Sequence, residues 1–150
     1  MIALIQRVKN ASVVIDNSVY SQISKGLLIF LGITHDDSDE DIEWLTNKIV
    51  NLRIFDDNDD VMNMSCIDIN GEILTISQFT LHARTKKGNR PSYIDATNPK
   101  IAEPLYLKFI EKLDTRCDKK TLTGEFGANM QVNLCNDGPV TIIIDSKNRK

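Results

Sequence analysis

The chain has 150 residues, of which 41% are hydrophobic and 26% charged, the usual composition of a globular domain. No run approaches the roughly 18 apolar residues of a membrane-spanning helix, and the N-terminus lacks the basic start and long apolar core of a signal peptide. Three widely spaced cysteines (Cys66, Cys117 and Cys135) favour reduced thiols and match no zinc spacing. We therefore expect one cytoplasmic domain over 1–150, with no metal or other cofactor.

Charge is unevenly distributed along the chain, whose net charge is −3. Residues 1–60 carry five basic and 11 acidic side chains, whereas residues 61–150 carry 13 and ten. An acidic protein is a poor general binder of nucleic acid, but phosphate contacts depend on local basic patches. One such patch places four cations within seven residues with no acid between them: Arg84, Lys86, Lys87 and Arg90. Charge alone does not decide between a solvated loop and a phosphate clamp.

The first part of the chain predicts strands and then a helix. The predicted strands are Ile2–Ile15, Val19–Ile23 and Leu27–Leu31. Apolar residues then recur at helical spacing from Ile42 to Leu52, and Ser38 or Asp39 can cap the start of this helix. The acidic residues nearby suit the first turn of a helix, where the helix dipole favours negative charge.

Two turn motifs follow the first predicted helix. The acidic run 56–60 resembles a calcium loop, but it lacks the glycine and the final glutamate of an EF-hand, so we interpret it as a polar loop. Asn70-Gly71 is a strong signal for a tight turn and predicts a hairpin over 66–76. The second strand of this hairpin leads directly into Ser77.

The last part of the chain predicts a second helix and the closing strands. An apolar face from Leu105 to Leu113 indicates a helix over about 101–114, and Pro104 predicts that the regular helix begins close to that residue. Strands from Thr121 onward complete the sheet, and residues 147–150 are expected to form a frayed tail.

A turn is predicted between the last two strands, 130–134 and 140–144. Gly138 has no side chain and Pro139 has no N–H, so a Gly-Pro turn presents carbonyl oxygens that accept hydrogen bonds and donate none. Such a surface suits a cation, for instance the ammonium group of an amino acid. A plain connection between two strands is the simpler interpretation of this dipeptide on its own.

Six motifs occur in order over about residues 1–145. They are Arg7-Val-Lys-Asn-Ala-Ser-Val13, Lys25-Gly-Leu-Leu28, Ser77-Gln78-Phe79-Thr80, Lys87-Gly-Asn-Arg-Pro-Ser92, Gly124-Glu-Phe-Gly-Ala-Asn-Met130 and Asn136-Asp-Gly-Pro-Val-Thr141. Each is weak alone, but together and in register they resemble the D-aminoacyl-tRNA deacylases.

The resemblance implies an α+β fold in which two helices pack outside a β-barrel-like sheet, and a homodimer. It also implies hydrolysis of D-aminoacyl-tRNA, and of mischarged glycyl-tRNA because glycine is achiral. The Gly138–Pro139 bond, cis in the family, would reach into the partner subunit's pocket. The residues implied for the site are Ser77, Gln78, Phe79 and Thr80 at the ester and Phe126, Met130, Gly138 and Pro139 around the substrate. If the basic patch is a phosphate clamp, Lys86, Lys87 and Arg90 contact the tRNA. Arg84 departs from the small or acidic residue expected there.

Thr80 is the candidate nucleophile of a competing interpretation. A hydroxyl needs an adjacent base. His82 has the same strand parity as Thr80, but no acid close in sequence can orient it. We favour a structural Thr80, with catalysis by positioning, by backbone N–H groups and by the neighbouring 2′-hydroxyl of the substrate. A Thr-nucleophile esterase would leave the basic patch unexplained, and a non-catalytic RNA-binding module would leave the Ser77–Thr80 motif unexplained.

Overall fold

The computed structural model describes residues 1–149. The strands are β1 (Ile2–Ile15), β2 (Ser18–Ile23), β3 (Gly26–Gly32), β4 (Phe55–Asp56), β5 (Met62–Met64), β6 (Glu72–Ser77), β7 (Leu122–Thr123) and β8 (Gln131–Asp145). The helices are α1 (Asp39–Val50), α2 (Pro99–Asp114) and one 3₁₀ turn, Phe79–His82. Within this described range, no helix is long and apolar enough to cross a membrane.

β1 is the strand around which the sheet is built. It pairs antiparallel with β8 along most of its length, with β3 over its first half and with β2 over its second half. β6 adds parallel to β3, and β7 adds parallel to β6. The Ser21 hydroxyl of β2 donates to the Thr123 carbonyl of β7 at 2.7 Å, so the two ends of the sheet nearly meet. The predicted barrel-like sheet with two helices is confirmed.

The helices lie outside the sheet because its parallel pairs require crossover connections. α1 belongs to the crossover from β3 to β6, and α2 to the crossover from β6 to β7. The main hydrophobic core lies between the helices and the sheet, with Leu45 of α1 and Phe109 of α2 fully buried in it. A smaller cluster that includes Val13, Leu28 and Leu74 fills the inside of the barrel.

α2 begins at Pro99, so the prediction that the regular helix starts near Pro104 is wrong. Asn98 caps the helix, because its side-chain oxygen accepts from the Lys100 N–H at 2.9 Å. Pro99 then occupies the first helical position, where no N–H partner is needed. Pro104 is accommodated within the helix, and the buried face includes Tyr106, which the apolar pattern did not include.

The predicted hairpin over 66–76 is also wrong. Ser65 donates through both its N–H and its hydroxyl to the Asp68 carboxylate, at 2.8 and 2.7 Å, and this local pairing folds residues 66–70 into helical turns. Asn70 still adopts a positive φ of 48°, as an Asn-Gly turn requires. β6 therefore finds its partner in β3, and not in the segment that precedes the turn.

The segment 136–139 is a bulge in one long strand and not a turn between two strands. Residues on both sides of it pair antiparallel with β1: Asn136 lies opposite Val8 and Thr141 opposite Gln6. Four residues of β8, 137–140, therefore face the single residue Arg7, and the extra residues must leave the ladder.

The end of the chain lies against α1. Lys147 donates to the Asp41 carboxylate at 2.9 Å, and the Arg149 guanidinium lies 4.4 Å from the centre of the Trp44 ring. Residues 147–150 are those predicted to fray, and Lys150 lies outside the described residues.

Candidate active site

A cavity of about 630 Å³ opens beside the carboxyl ends of β3 and β6. Its wall is formed by the end of β6, by the segment 93–99 that leads into α2 and by the segment 126–130 that follows β7. This volume is within the usual range of small-molecule sites. Five of the residues predicted for the site line this one cavity: Ser77, Gln78, Phe79, Phe126 and Met130.

The Ser77–Thr80 motif is the point where β6 ends and the 3₁₀ turn begins. The Gln78 N–H donates to the Leu31 carbonyl at 2.8 Å, which extends the pairing with β3 by one residue. The turn then packs onto Gly32, where a Cβ would lie only 3.1 Å from the Gln78 carbonyl oxygen. The first N–H groups of a helical turn, here those of Phe79 and Thr80, have no acceptor within it. Phe79 lines the cavity, whereas Thr80 is one residue further along the turn and is not among its lining residues.

The environment of Thr80 does not activate its hydroxyl. Thr80 Oγ1 lies 2.6 Å from the Gln78 side-chain nitrogen, which donates to it. His82 does not share a strand face with Thr80, because both lie in the 3₁₀ turn. The buried His82 Nε2 has no hydrogen-bond partner within residues 1–149, so no His–Thr pair forms there. Thr80 therefore lacks the adjacent base that a hydroxyl nucleophile requires.

Phe126 and Met130 approach the cavity from the opposite wall. Phe126 is partly buried against the main core and its ring centre lies 5.7 Å from that of Tyr106. Met130 is partly buried against the cluster inside the barrel. The two side chains give this wall an apolar, adaptable surface of the kind that suits a flat heterocycle.

Tyr106 connects the two walls, and the sequence pattern did not reveal it. Its hydroxyl donates to the Thr75 carbonyl at 2.7 Å, two residues before the Ser77–Thr80 motif, while its ring supports Phe126. Burial raises the pKa of the Tyr106 hydroxyl, so this group stays a protonated donor. One α2 side chain thus positions both sides of the cavity.

Replacing Tyr106 by Phe is expected to lower the free energy of unfolding by about 1 kcal/mol, because it removes one buried hydrogen bond and keeps the ring. Urea denaturation followed by circular dichroism measures the change. Tyr20→Phe is the matched control, since Tyr20 is exposed and its variant should unfold like the parent protein. Equal stability of Tyr106→Phe and Tyr20→Phe would show that the Tyr106 hydroxyl contributes nothing.

Gly138 and Pro139 are exposed, and the peptide bond between them is cis, as predicted. They do not line the cavity of their own chain. Their neighbour Val8 pairs with Gly26 of β3, whereas the cavity lies near Leu31. Five residues along a strand separate these points by roughly 17 Å. The structure therefore does not bring the Gly-Pro pair to the other predicted site residues of the same subunit.

Arg7 holds the bulge that carries Gly138 and Pro139. Its buried guanidinium donates to the Asp137 carbonyl at 2.9 Å and to the Ile54 carbonyl at 2.7 Å. An arginine that donates in two directions ties the bulge to the segment before β4. Arg7 occurs in the first of the six motifs, but the sequence alone did not predict that it would hold the bulge.

The basic patch lies in the loop between the 3₁₀ turn and the cavity wall. Two backbone hydrogen bonds between Arg84 and Ser92, at 2.8 and 3.0 Å, close the loop. Arg84 is engaged by Asp95 through two hydrogen bonds of 2.5 and 2.6 Å. The other three cations are exposed and have no carboxylate within 4.0 Å in the described chain: Lys86, Lys87 and Arg90.

The same fold occurs in solved structures. The structure of the c-Myc DNA Unwinding Element Binding Protein superposes with a TM-score of 0.92 and 39% sequence identity, covering 97% of this chain and 98% of that one. A probable eukaryotic D-amino acid tRNA deacylase superposes with a TM-score of 0.80, covering 95% and 97% of the two chains; at 15% identity it supports the fold alone.

Sequence comparison identifies the family. The profile described as D-Tyr-tRNA(Tyr) deacylase matches residues 4–145. A D-aminoacyl-tRNA deacylase of Flavobacterium psychrophilum is 61% identical over 150 residues, and one of Bacteroides fragilis is 59% identical over 150 residues; both alignments cover the whole of each chain. The chain belongs to the D-Tyr-tRNA(Tyr) deacylase family.

Proposed function

We propose that this protein hydrolyses the ester of D-aminoacyl-tRNA to free D-amino acid and tRNA, as one cytoplasmic domain that proofreads chirality in translation. The observation that carries the proposal is the full-length identity of 61% to a protein named D-aminoacyl-tRNA deacylase. The cavity supports it, because Ser77, Gln78 and Phe79 line one wall and the apolar pair Phe126 and Met130 line the opposite one. The terminal adenosine lies against the apolar wall, and the ester lies against the motif.

Catalysis is proposed to use backbone and substrate groups. The N–H groups of Phe79 and Thr80 stabilise the negative charge that develops on the carbonyl oxygen when water attacks the ester carbon. The neighbouring 2′-hydroxyl of the substrate passes a proton from the attacking water to the 3′-oxygen as the bond between the ester carbon and that oxygen breaks. Because the ester is held in place, the reaction gains from positioning without a titratable side chain.

Chiral selection is proposed to come from a partner subunit. Gly138 and Pro139 are exposed, are held by Arg7 and lie away from the cavity of their own chain, so in a two-fold homodimer they enter the partner's cavity. Their carbonyl oxygens accept hydrogen bonds from the substrate ammonium, and their backbone occupies the space that an L side chain needs. Glycine has no side chain, so glycyl-tRNA is a further substrate.

The selectivity that the reaction requires favours a rigid backbone barrier over side-chain packing. Differential packing of a side chain in an apolar pocket gives only about 10–200-fold discrimination. L-aminoacyl-tRNA is in large excess in a cell, so that ratio is insufficient. A rigid obstacle can exclude a pose completely.

The proposal requires the active species to be a dimer. Sedimentation velocity at assay concentrations should give the mass of two chains, each of 16.9 kDa. Full activity in a species that sediments as a monomer would overturn the cross-subunit arrangement while leaving the hydrolytic reaction in place.

Two other functions compete with this proposal. The basic loop, together with a 39% identical solved structure named c-Myc DNA Unwinding Element Binding Protein, favours a non-catalytic nucleic-acid-binding module as the second candidate. A Thr-nucleophile esterase would act on small esters through Thr80. Incubation with D-tyrosyl-tRNA and with D-tyrosine ethyl ester separates the three: we expect rapid release of tyrosine from the tRNA and little from the small ester. Tight RNA binding without release would favour the binding module.

The basic loop is expected to contact tRNA phosphates. Replacing Lys86 and Lys87 by Ala should weaken tRNA binding and reduce the log–log slope of affinity against salt by up to about 0.7–0.9 for each phosphate that is no longer neutralised. Binding measured by filter retention between 50 and 200 mM salt tests this. The adjacent pair Lys119 and Lys120 is the matched control, because these exposed lysines precede β7 near Glu72, away from the cavity. Identical salt slopes for both double variants would show that the loop is only solvated.

A further inference from the structure

Two exposed aromatic rings stand at the mouth of the cavity. Phe79 is 57% exposed and Tyr93 is 40% exposed, although both line the cavity. Their ring centres lie 5.1 Å apart with an interplanar angle of 75°. Both rings lie outside the two hydrophobic clusters, so packing of the core does not account for them. Aromatic surface left in water beside a cavity is typical of a binding surface.

Tyr93 is also joined to the basic loop. The backbone hydrogen bonds between Arg84 and Ser92 close that loop, and Tyr93 is the next residue along the chain. The loop that carries the exposed cations Lys86, Lys87 and Arg90 therefore ends next to the aromatic pair. Cationic side chains beside an exposed aromatic ring are the combination by which proteins bind single-stranded nucleic acid, since the cations meet phosphates and the ring meets a base.

We propose that Tyr93, supported edge-to-face by Phe79, stacks on the base of the nucleotide that precedes the terminal adenosine of the tRNA. The proposal rests on the proposed function, because that function puts the terminal adenosine inside the cavity. The strand must then leave across the mouth, where unpaired bases offer their faces to aromatic side chains. A T-shaped contact covers at most one face of the Tyr93 ring and leaves the other face open to a base.

The stack is tested by shortening the substrate. Tyr93→Ala is assayed on D-tyrosyl-tRNA, on the trinucleotide CCA carrying a 3′-D-tyrosyl ester, and on 3′-O-D-tyrosyl-adenosine. We expect kcat/KM to fall at least about fivefold on the first two, as the loss of one base–aromatic stack predicts. On tyrosyl-adenosine, which has no preceding base, the loss of kcat/KM should be clearly smaller than on the two longer substrates.

The controls separate stacking from other roles. Tyr93→Phe keeps the ring and should match the parent protein on all three substrates, whereas Tyr93→Leu keeps apolar bulk and should behave like the Ala variant. Equal losses on all three substrates would put Tyr93 in the adenosine pocket and overturn the proposal. So would parental activity of Tyr93→Ala on D-tyrosyl-tRNA, or a changed sedimentation coefficient that accounts for the loss.

Failure of this inference is distinguishable from failure of the proposed function. If the chain is not a deacylase, the parent protein itself releases no tyrosine from any of the three substrates. If it is a deacylase without this stack, the parent protein is active and the dependence of the Tyr93→Ala effect on substrate length is absent.

Discussion

D-tyrosyl-tRNA that ends in 2′-deoxyadenosine, esterified at its 3′-oxygen, is expected to be hydrolysed at least about a hundredfold more slowly than the normal substrate, the lower range for loss of a proton-transfer group. Thr80→Val, by contrast, is expected to keep most of the activity. The reason lies in the surroundings of Thr80, whose hydroxyl accepts from the Gln78 side chain and has no base beside it. Proton transfer therefore falls to the substrate.

Release of labelled D-tyrosine under single-turnover conditions measures both effects. Thr80→Val is close to isosteric and removes only the hydroxyl, and Thr80→Ser keeps the hydroxyl as the matched control. Removing a true nucleophile costs several orders of magnitude in kcat. An inactive Thr80→Val enzyme with an active Thr80→Ser enzyme, together with unimpaired hydrolysis of the deoxy substrate, would assign the reaction to Thr80.

Gly138→Ala is expected to lower turnover of D-tyrosyl-tRNA by about a hundredfold, the effect of displacing a positioning group by about 1 Å. Gly138 has a φ of +130°, which L side chains rarely adopt. A Cβ there would lie 2.9 Å from the Val140 side chain and 3.1 Å from the Arg7 guanidinium. The bulge must therefore move, and the carbonyl oxygens proposed to receive the substrate ammonium move with it.

Asn17→Ala is the matched control for Gly138→Ala. Asn17 also has a positive φ, 61°, but it lies in the connection between β1 and β2. Its replacement should cost about 1 kcal/mol of stability through backbone strain and leave turnover unchanged. Similar activity of the two variants, at similar loss of stability, would remove Gly138 from the mechanism.

The elements predicted best from sequence are those with a strong local pattern. The apolar run at 27–31 became the buried strand β3, and Ser38 with its following acids marked the start of α1. The hairpin at Asn70-Gly71 failed because the Ser65–Asp68 pairing, equally local, competes for the same residues. A turn dipeptide specifies the bend but not which strands it joins.

The site was predictable where a motif is continuous in the chain. Ser77–Phe79, Phe126 and Met130 do line one cavity. Tyr106 and Arg7 were not predicted, because each acts through a hydrogen bond to a backbone carbonyl that is distant in sequence. Tyr106 donates to the Thr75 carbonyl, 31 residues away, and Arg7 donates to the Asp137 carbonyl, 130 residues away. Every residue has a backbone carbonyl, so the accepting position carries no sequence signal that would reveal such a hydrogen bond.

We propose that this chain removes D-amino acids, and not L-amino acids, from tRNA. The direct measurement is the rate of tyrosine release from D-tyrosyl-tRNA and from L-tyrosyl-tRNA by the same enzyme, each corrected for spontaneous hydrolysis. We predict a ratio of rates well above the roughly 200-fold limit of a simple apolar pocket, with the L ester released no faster than without protein. Comparable enzymatic release from both esters, or from neither, would contradict a deacylase that is specific for D-amino acids.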